Sequence, residues 1–200
     1  MRLSGEDLAC ERGGRMLFSG LSFTLEAGQG MLIEGPNGSG KTTLIRAIAG
    51  LGRFARGHIA LSGGVAGVEL DEQAHYVGHA DAVKPQLSVT ENLAFWAGYL
   101  GGGDIGRALD AFGLHPIADL PAQVLSAGQR RKLALSRLAL VPRLLWLLDE
   151  PSVSLDRAAQ QTLAGLMAAH VAGGGLLMAS THMDLGTVFS KNLRLGAVAA

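Results

Sequence analysis

Eight consecutive residues, Gly35-Pro36-Asn37-Gly38-Ser39-Gly40-Lys41-Thr42, carry the spacing G-x-x-x-x-G-K-T, and Thr43 follows directly. That pattern suits a phosphate grip. Glycines let the backbone wrap so that successive N–H groups point inward, and a helix starting at the lysine turns its positive end to the same oxygens. In this role Lys41 neutralises the terminal phosphates and the Thr42 hydroxyl holds Mg²⁺. A second group of residues, Leu144-Leu145-Trp146-Leu147-Leu148-Asp149-Glu150, is an apolar run ended by two carboxylates. A buried strand of this kind delivers Asp149 to a metal shell and Glu150 to an attacking water, as general base. A third, Leu125-Ser126-Ala127-Gly128-Gln129, has the Ser–Gln spacing of a capping box. Its helix N-terminus, lined by small residues, forms a second anion site.

The phosphate loop needs a strand before it and a helix after it. Gly30–Glu34 is a short apolar run leading into the loop, and Thr42–Ala49 reads as a helix stopped by Gly50-Leu51-Gly52. Leu17–Leu25 alternates and ends at Glu26-Ala27-Gly28, a strand and turn; Gly57–Leu61 and His75–Val77 read as further strands. From Ser88 the pattern turns helical. Ser88-Val89-Thr90-Glu91 is a capping box, Asn92–Leu100 runs to a glycine triplet, Ile105–Phe112 closes at Gly113, and Ser126–Leu140 ends before Pro142. Leu144–Leu148 then reads as a central parallel strand, Asp156–His170 as a helix, and Leu176–Ser180 as the last buried strand. The expectation is one α/β domain over 1–200, with residues 1–87 and 141–200 as the core and 88–140 as a mainly helical insert.

The bulk composition narrows the partners. Hydrophobic residues make up 48% and charged ones 17%, so the chain is expected to be globular. Lys+Arg and Asp+Glu are both 17, and that zero balance argues against nucleic acid, which demands a basic surplus. The single cysteine, Cys10, makes no internal disulfide and reads as filler in the first strand. The opening M-R-L-S-G-E-D-L lacks the apolar core of a signal peptide. Thr162 to Met183 carries no formal charge, yet Gly173-Gly174-Gly175 interrupts it, so it reads as helix, break and strand rather than a membrane span. Membrane association is expected only through a partner.

In this order and spacing the three groups resemble the ATP-binding cassette (ABC) family, whose signature is L-S-G-G-Q where this chain has L-S-A-G-Q. Ser154-Leu155-Asp156 is similar to the family's D-loop, and His182 in Ser180-Thr181-His182 to its switch histidine. The resemblance implies a P-loop NTPase fold with a mainly parallel central sheet, an antiparallel β subdomain at the N-terminus and a helical subdomain insert. It implies ATP and Mg²⁺ as cofactors. It also implies a head-to-tail dimer with a second copy, each ATP lying between one Walker loop and the other copy's Ser126, Gly128 and Gln129. Hydrolysis would then drive a membrane subunit.

Two positions depart from the family. Where its Q-loop carries glutamine, Tyr76-Val77-Gly78-His79 places His79, which keeps a hydrogen-bonding role toward water or the metal shell; His75 and His79 as a metal or haem pair is the weaker reading. Glu11-Arg12-Gly13-Gly14-Arg15 offers no aromatic to stack on adenine, Phe18 being a core residue, so Arg12 or Arg15 is expected to take that place. With A-C-E-R near the start, G-H in the Q-loop and L-S-A-G-Q-R-R-K, the chain is similar to the bacterial cytochrome c maturation ATPases, the ATP-binding subunits of the so-called haem exporter. That family implies a CcmB-like membrane subunit and a peripheral site at the cytoplasmic face of the inner membrane. The rival readings are another ABC importer or exporter ATPase, a non-transport ABC protein, and an ATP-gated switch without turnover.

Overall fold

A computed structural model describes residues 1–181 and 188–196. The chain order is β1 (Arg2–Arg12), β2 (Arg15–Glu26), β3 (Gly30–Glu34), α1 (Lys41–Ile48), β4 (Arg56–Ser62) and β5 (Ala74–Val77). It continues with α2 (Val89–Leu100), α3 (Ile105–Ala111), α4 (Ala127–Leu140), β6 (Leu145–Asp149), α5 (Arg157–Ala172), β7 (Leu176–Ser180) and β8 (Phe189–Arg194). Two compact units are distinguished, one of residues 1–78, 143–151 and 167–200, the other of 79–142 and 152–166.

The first unit holds two sheets. β1, with β2 and β4 on either side, forms a three-stranded antiparallel sheet. The other sheet has five strands in the order β5-β6-β7-β3-β8, and every neighbouring pair is parallel. β6 and β7 are buried at every position, as continuous apolar strands in the middle of a parallel sheet must be. Leu3, Phe18, Phe23 and Leu25 from the antiparallel sheet share one core with Met31, Ile33, Leu147 and Met178 from the parallel one. α1 adds Leu44, Ile45 and Ile48 to it. Cys10 is buried there, and the loss of hydration raises its thiol pKa.

The sheet continues past Leu176–Ser180, which the sequence reading takes as the last strand. β8 lies at the far edge, paired with β3 from Gly30↔Phe189 to Glu34↔Arg194. Its sequence F-S-K-N-L-R buries only Leu193, so an edge strand with a mostly polar, half-exposed course leaves no apolar run to detect. The uncharged stretch from Thr162 resolves into the end of α5, a turn at Gly173-Gly174, and β7. No helix among the described residues is long and apolar enough to cross a membrane.

The second unit packs α2, α3 and α4 on one another. Ser88 caps α2 with the full box, its Oγ accepting from Glu91 N at 3.1 Å while Glu91 Oε2 accepts from Ser88 N at 2.7 Å. Asn92, buried on the same helix, ties down the loop before it through Lys84 N and the carbonyls of Lys84, Leu87 and Ser88. Two buried arginines hold α4: Arg131 pairs with Asp81 at 3.1 Å, and Arg137 lies over the Trp96 ring at 4.6 Å.

Candidate functional site

The loop Gly35–Thr42 spans the gap between β3 and α1 with a backbone that only glycine adopts freely. Gly35, Gly38 and Gly40 have φ of +148°, +81° and +101°. At Gly35 a Cβ would come within 2.5 Å of the Leu195 carbonyl and 2.7 Å of Ser39 Oγ; at Gly40 it would meet the Phe18 ring at 3.0 Å. Both positions therefore exclude any other residue on two counts, conformation and space. Phe18, only 4% exposed, supports the loop from below, which explains why it cannot stack on a base.

The loop and the helix after it are left open toward a ligand. Gly40 caps α1 without a side-chain acceptor, and the first turn has no acidic residue, so the helix start stays electropositive. Thr42 and Thr43 lie in that turn with Lys41. Lys41 Nζ donates to the carbonyls of Gly35 at 2.7 Å and Pro36 at 3.2 Å, which holds its charge over the loop. Ser39 Oγ is buried and has no hydrogen-bond partner among the described residues. An uncapped helix end, a loop-bound ammonium and an orphaned buried hydroxyl together fit an anion with several acceptor oxygens. Beside the loop lies a cleft of about 710 Å³, bordered by Glu34, Pro36, Lys41, Thr181 and Arg194. That volume suits a small molecule of nucleotide size.

Both carboxylates come from the end of β6 in the same unit, Asp149 as its last residue and Glu150 directly after it. Asp149 ends β6 in register with Ser180 at the end of β7, and Ser180 Oγ donates to Asp149 Oδ1 at 2.6 Å with both residues buried. This short charge-assisted bond fixes the carboxylate in one orientation. Glu150 follows with φ +47°, a left-handed conformation rare outside glycine, and its N–H donates to the Ser180 carbonyl at 2.9 Å. Ser180 therefore holds both acidic residues, one through its side chain and one through its backbone. No cluster of three or more His, Cys, Asp or Glu side chains forms among the described residues.

The second unit carries the Ser126 group. The predicted capping box is present, with Ser126 Oγ accepting from Gln129 N at 3.2 Å and Gln129 Oε1 accepting from Ser126 N at 2.9 Å. Gly128 sits in the first turn of α4, and a Cβ there would stand 3.0 Å from the Ser154 carbonyl. His79 is exposed, whereas His75 is buried in β5. His182 lies outside the described residues. Arg15, Met16 and Leu17 border a small cleft of about 50 Å³ together with Pro36–Ser39 of the loop, and Arg12 faces Arg15 across the hairpin and is exposed. Sequence reasoning missed Ser180 as the holder of Asp149. The signal available was a lone polar residue closing an apolar strand, as Asp149 closes its own.

Comparison with known proteins agrees with this geometry. A model of the family described as "ABC transporter" matches residues 18–153. Two full-length relatives, from Nitrobacter winogradskyi (53% identical) and Bradyrhizobium diazoefficiens (54%), both cover 100% of each chain. Each is named cytochrome c biogenesis ATP-binding export protein CcmA. Among solved structures, a putative ABC transporter ATP-binding protein from Pyrococcus furiosus superposes with a TM-score of 0.82 at 22% identity, covering 98% of both chains. A dimeric ATP-binding cassette in a post-hydrolysis state, bound to ADP and Pi, superposes at 0.81 and 19%, covering 98% of this chain and 97% of its own. At those identities the likeness speaks for the fold.

Proposed function

The chain belongs to the ABC transporter family, and from that premise we propose that it is the ATP-binding and ATP-hydrolysing subunit of an export complex serving c-type cytochrome biogenesis. The observation that carries the reading is the open phosphate loop with two consecutive carboxylates at the end of β6, both held by Ser180 of the adjacent strand, in a chain half identical to full-length ATP-binding export proteins. Gly35–Thr43 bind the phosphates, with Lys41 neutralising the terminal ones. Thr42 and Asp149 supply oxygen ligands for Mg²⁺, which when bound offsets the negative charge on the phosphates. Glu150 takes a proton from the attacking water, and His182 and His79 orient that water and the terminal phosphate.

The partner of the site is a second copy. The dimeric fold neighbour supports a head-to-tail pair in which Ser126, Gly128 and Gln129 of one copy close over the nucleotide held by the other. A CcmB-like membrane subunit would convert closure and opening into work on haem delivery, placing the chain peripherally at the cytoplasmic face of the bacterial inner membrane.

Glu150→Gln tests the assignment. The amide keeps the size of the side chain, so the variant should bind ATP and form stable dimers while hydrolysis falls several hundredfold, about what loss of a positioned base costs. Unchanged turnover would remove Glu150 from the chemistry. Full activity in dilute, verified monomer would remove the shared site.

A further inference from the structure

The first two turns of α4 do more than present Ser126. Gly128 and Lys132 are four residues apart and so lie on one face of the helix. Both meet the same short segment, residues 152–156. The missing Cβ of Gly128 leaves room for the Ser154 carbonyl, which a Cβ would approach to 3.0 Å. One turn on, Lys132 Nζ donates to Asp156 Oδ2 at 2.7 Å. The segment also makes contacts of its own. Ser154 sits at φ +65°, Leu155 N donates to the Ser152 carbonyl at 3.2 Å, and Gln160 Nε2 donates to the Leu155 carbonyl at 3.1 Å. Asp156 uses both carboxylate oxygens, because Oδ1 accepts from Ala159 N at 2.8 Å and so starts α5. A single carboxylate thus joins the beginning of α5 to α4.

We propose that Lys132, acting through Asp156 with Gly128 as the second point of contact, is a positioning residue that locks the start of α4 to residues 152–156, so that Ser126–Gln129 meet the second copy's nucleotide from a fixed base. This rests on the reading that Ser126–Gln129 close a shared site. Lys132 touches no substrate itself. Its effect falls on the rate of the closed complex rather than on nucleotide affinity, which belongs to the loop Gly35–Thr42.

The test is a double-mutant cycle on the full chain with Lys132→Met, Lys132→Arg and Asp156→Asn. The asparagine retains an oxygen for Ala159, so the start of α5 survives while the charge is lost. Lys132→Met is expected to lower kcat about five- to tenfold and to weaken the cooperativity of the rate in ATP, with KM and binding of a non-hydrolysable ATP analogue unchanged. Lys132→Arg should restore kcat. Asp156→Asn should match Lys132→Met, and the double variant should be no slower than either, because both remove one interaction. Wild-type kcat and cooperativity in Lys132→Met, additive losses in the double variant, or a loss not restored by arginine would each overturn the clamp. If Glu150→Gln still abolishes turnover in that case, the clamp alone fails; if Glu150→Gln is fully active, the underlying reading of the site fails first.

Discussion

Replacing Ser180 by alanine removes one hydroxyl and should separate metal binding from the rest of the site. Ser180 and Asp149 are 0% and 2% exposed, and their 2.6 Å bond is in the range of a hydroxyl donating to an ionised carboxylate. Loss of a buried hydrogen bond to a charged group costs about 1.5–3 kcal/mol. In a domain of this size 1 kcal/mol moves Tm by about 2–4 °C, so a fall of roughly 3–12 °C is expected in metal-free protein. The functional effect comes from orientation, since outer partners of a metal ligand typically control about 10–100-fold in metal affinity. ATP hydrolysis followed against free Mg²⁺ at saturating ATP should show the midpoint raised by about tenfold or more, with the rate recovering at high Mg²⁺. Ser180→Thr is the control. It keeps the donor but adds a methyl to a packed site, so it should lose stability while retaining the Mg²⁺ midpoint. Ser180→Ala with an unchanged midpoint would refute the idea that the Ser180–Asp149 bond serves the metal.

His170 should make the first unit less stable in acid. Its ring stacks on Trp146 with centroids 4.2 Å apart and planes 8° apart, Nε2 meets the Leu176 carbonyl at 3.0 Å, and the packing leaves no space for a Cβ at Gly175. Burial depresses its pKa below the ordinary value, the Leu176 carbonyl opposing only in part. The unfolded chain therefore takes up the proton first as pH falls. The stabilising contribution is complete above about pH 6.5 and is lost as pH drops through the lower folded value; thermal melts from pH 7.5 to 5.5 should flatten in His170→Phe, and equal slopes would refute it. At the small cleft by the loop, Arg15 lies beside Pro36–Ser39, and we propose that it takes the place of an aromatic against the base. ATP and GTP should be hydrolysed with kcat/KM within about tenfold of each other, and Arg15→Ala should raise KM for both about two- to fivefold, the scale of an exposed cation–π contact. A strong ATP preference, or a silent Arg15→Ala, would reject that assignment.

What the sequence made legible was whatever chemistry constrains locally. The phosphate loop announces itself because its turn needs glycine at Gly35 and Gly40 for space as well as conformation. The capping boxes at Ser88 and Ser126 are legible because donor and acceptor lie three residues apart. The interiors of β6 and β7 are legible because strands buried on both faces must be apolar throughout. The contacts that complete the site join residues far apart in the chain: Ser180 with Asp149, Lys132 with Asp156, Phe18 with Gly40. No local rule selects those partners, since a serine in a strand or a lysine on a helix is unremarkable until the fold brings its partner close. β8 was hidden for a different reason, having the composition of a surface and the position of an edge.

Backbone strain marks the same residues from another direction. Of the four non-glycine residues with positive φ among the described residues, Glu150 and Ser154 fall within five positions of each other, just after β6. Each costs on the order of 1–2 kcal/mol relative to an ordinary conformation. Glycine at either place would relieve that strain and keep the same carbonyl direction, so a non-glycine residue there is accounted for by its side chain or by glycine's greater freedom in the unfolded chain. At Glu150 the requirement is the carboxylate, presented from a backbone whose N–H is held by Ser180. At Ser154 the left-handed turn aims the carbonyl at Gly128, where it meets α4. The two strained residues thus have different proposed tasks: Glu150 presents the proposed base, and Ser154 sets the approach to α4. Strain retained at both, in a segment that ends one unit and begins the other, is what a site under selection for geometry rather than stability would show.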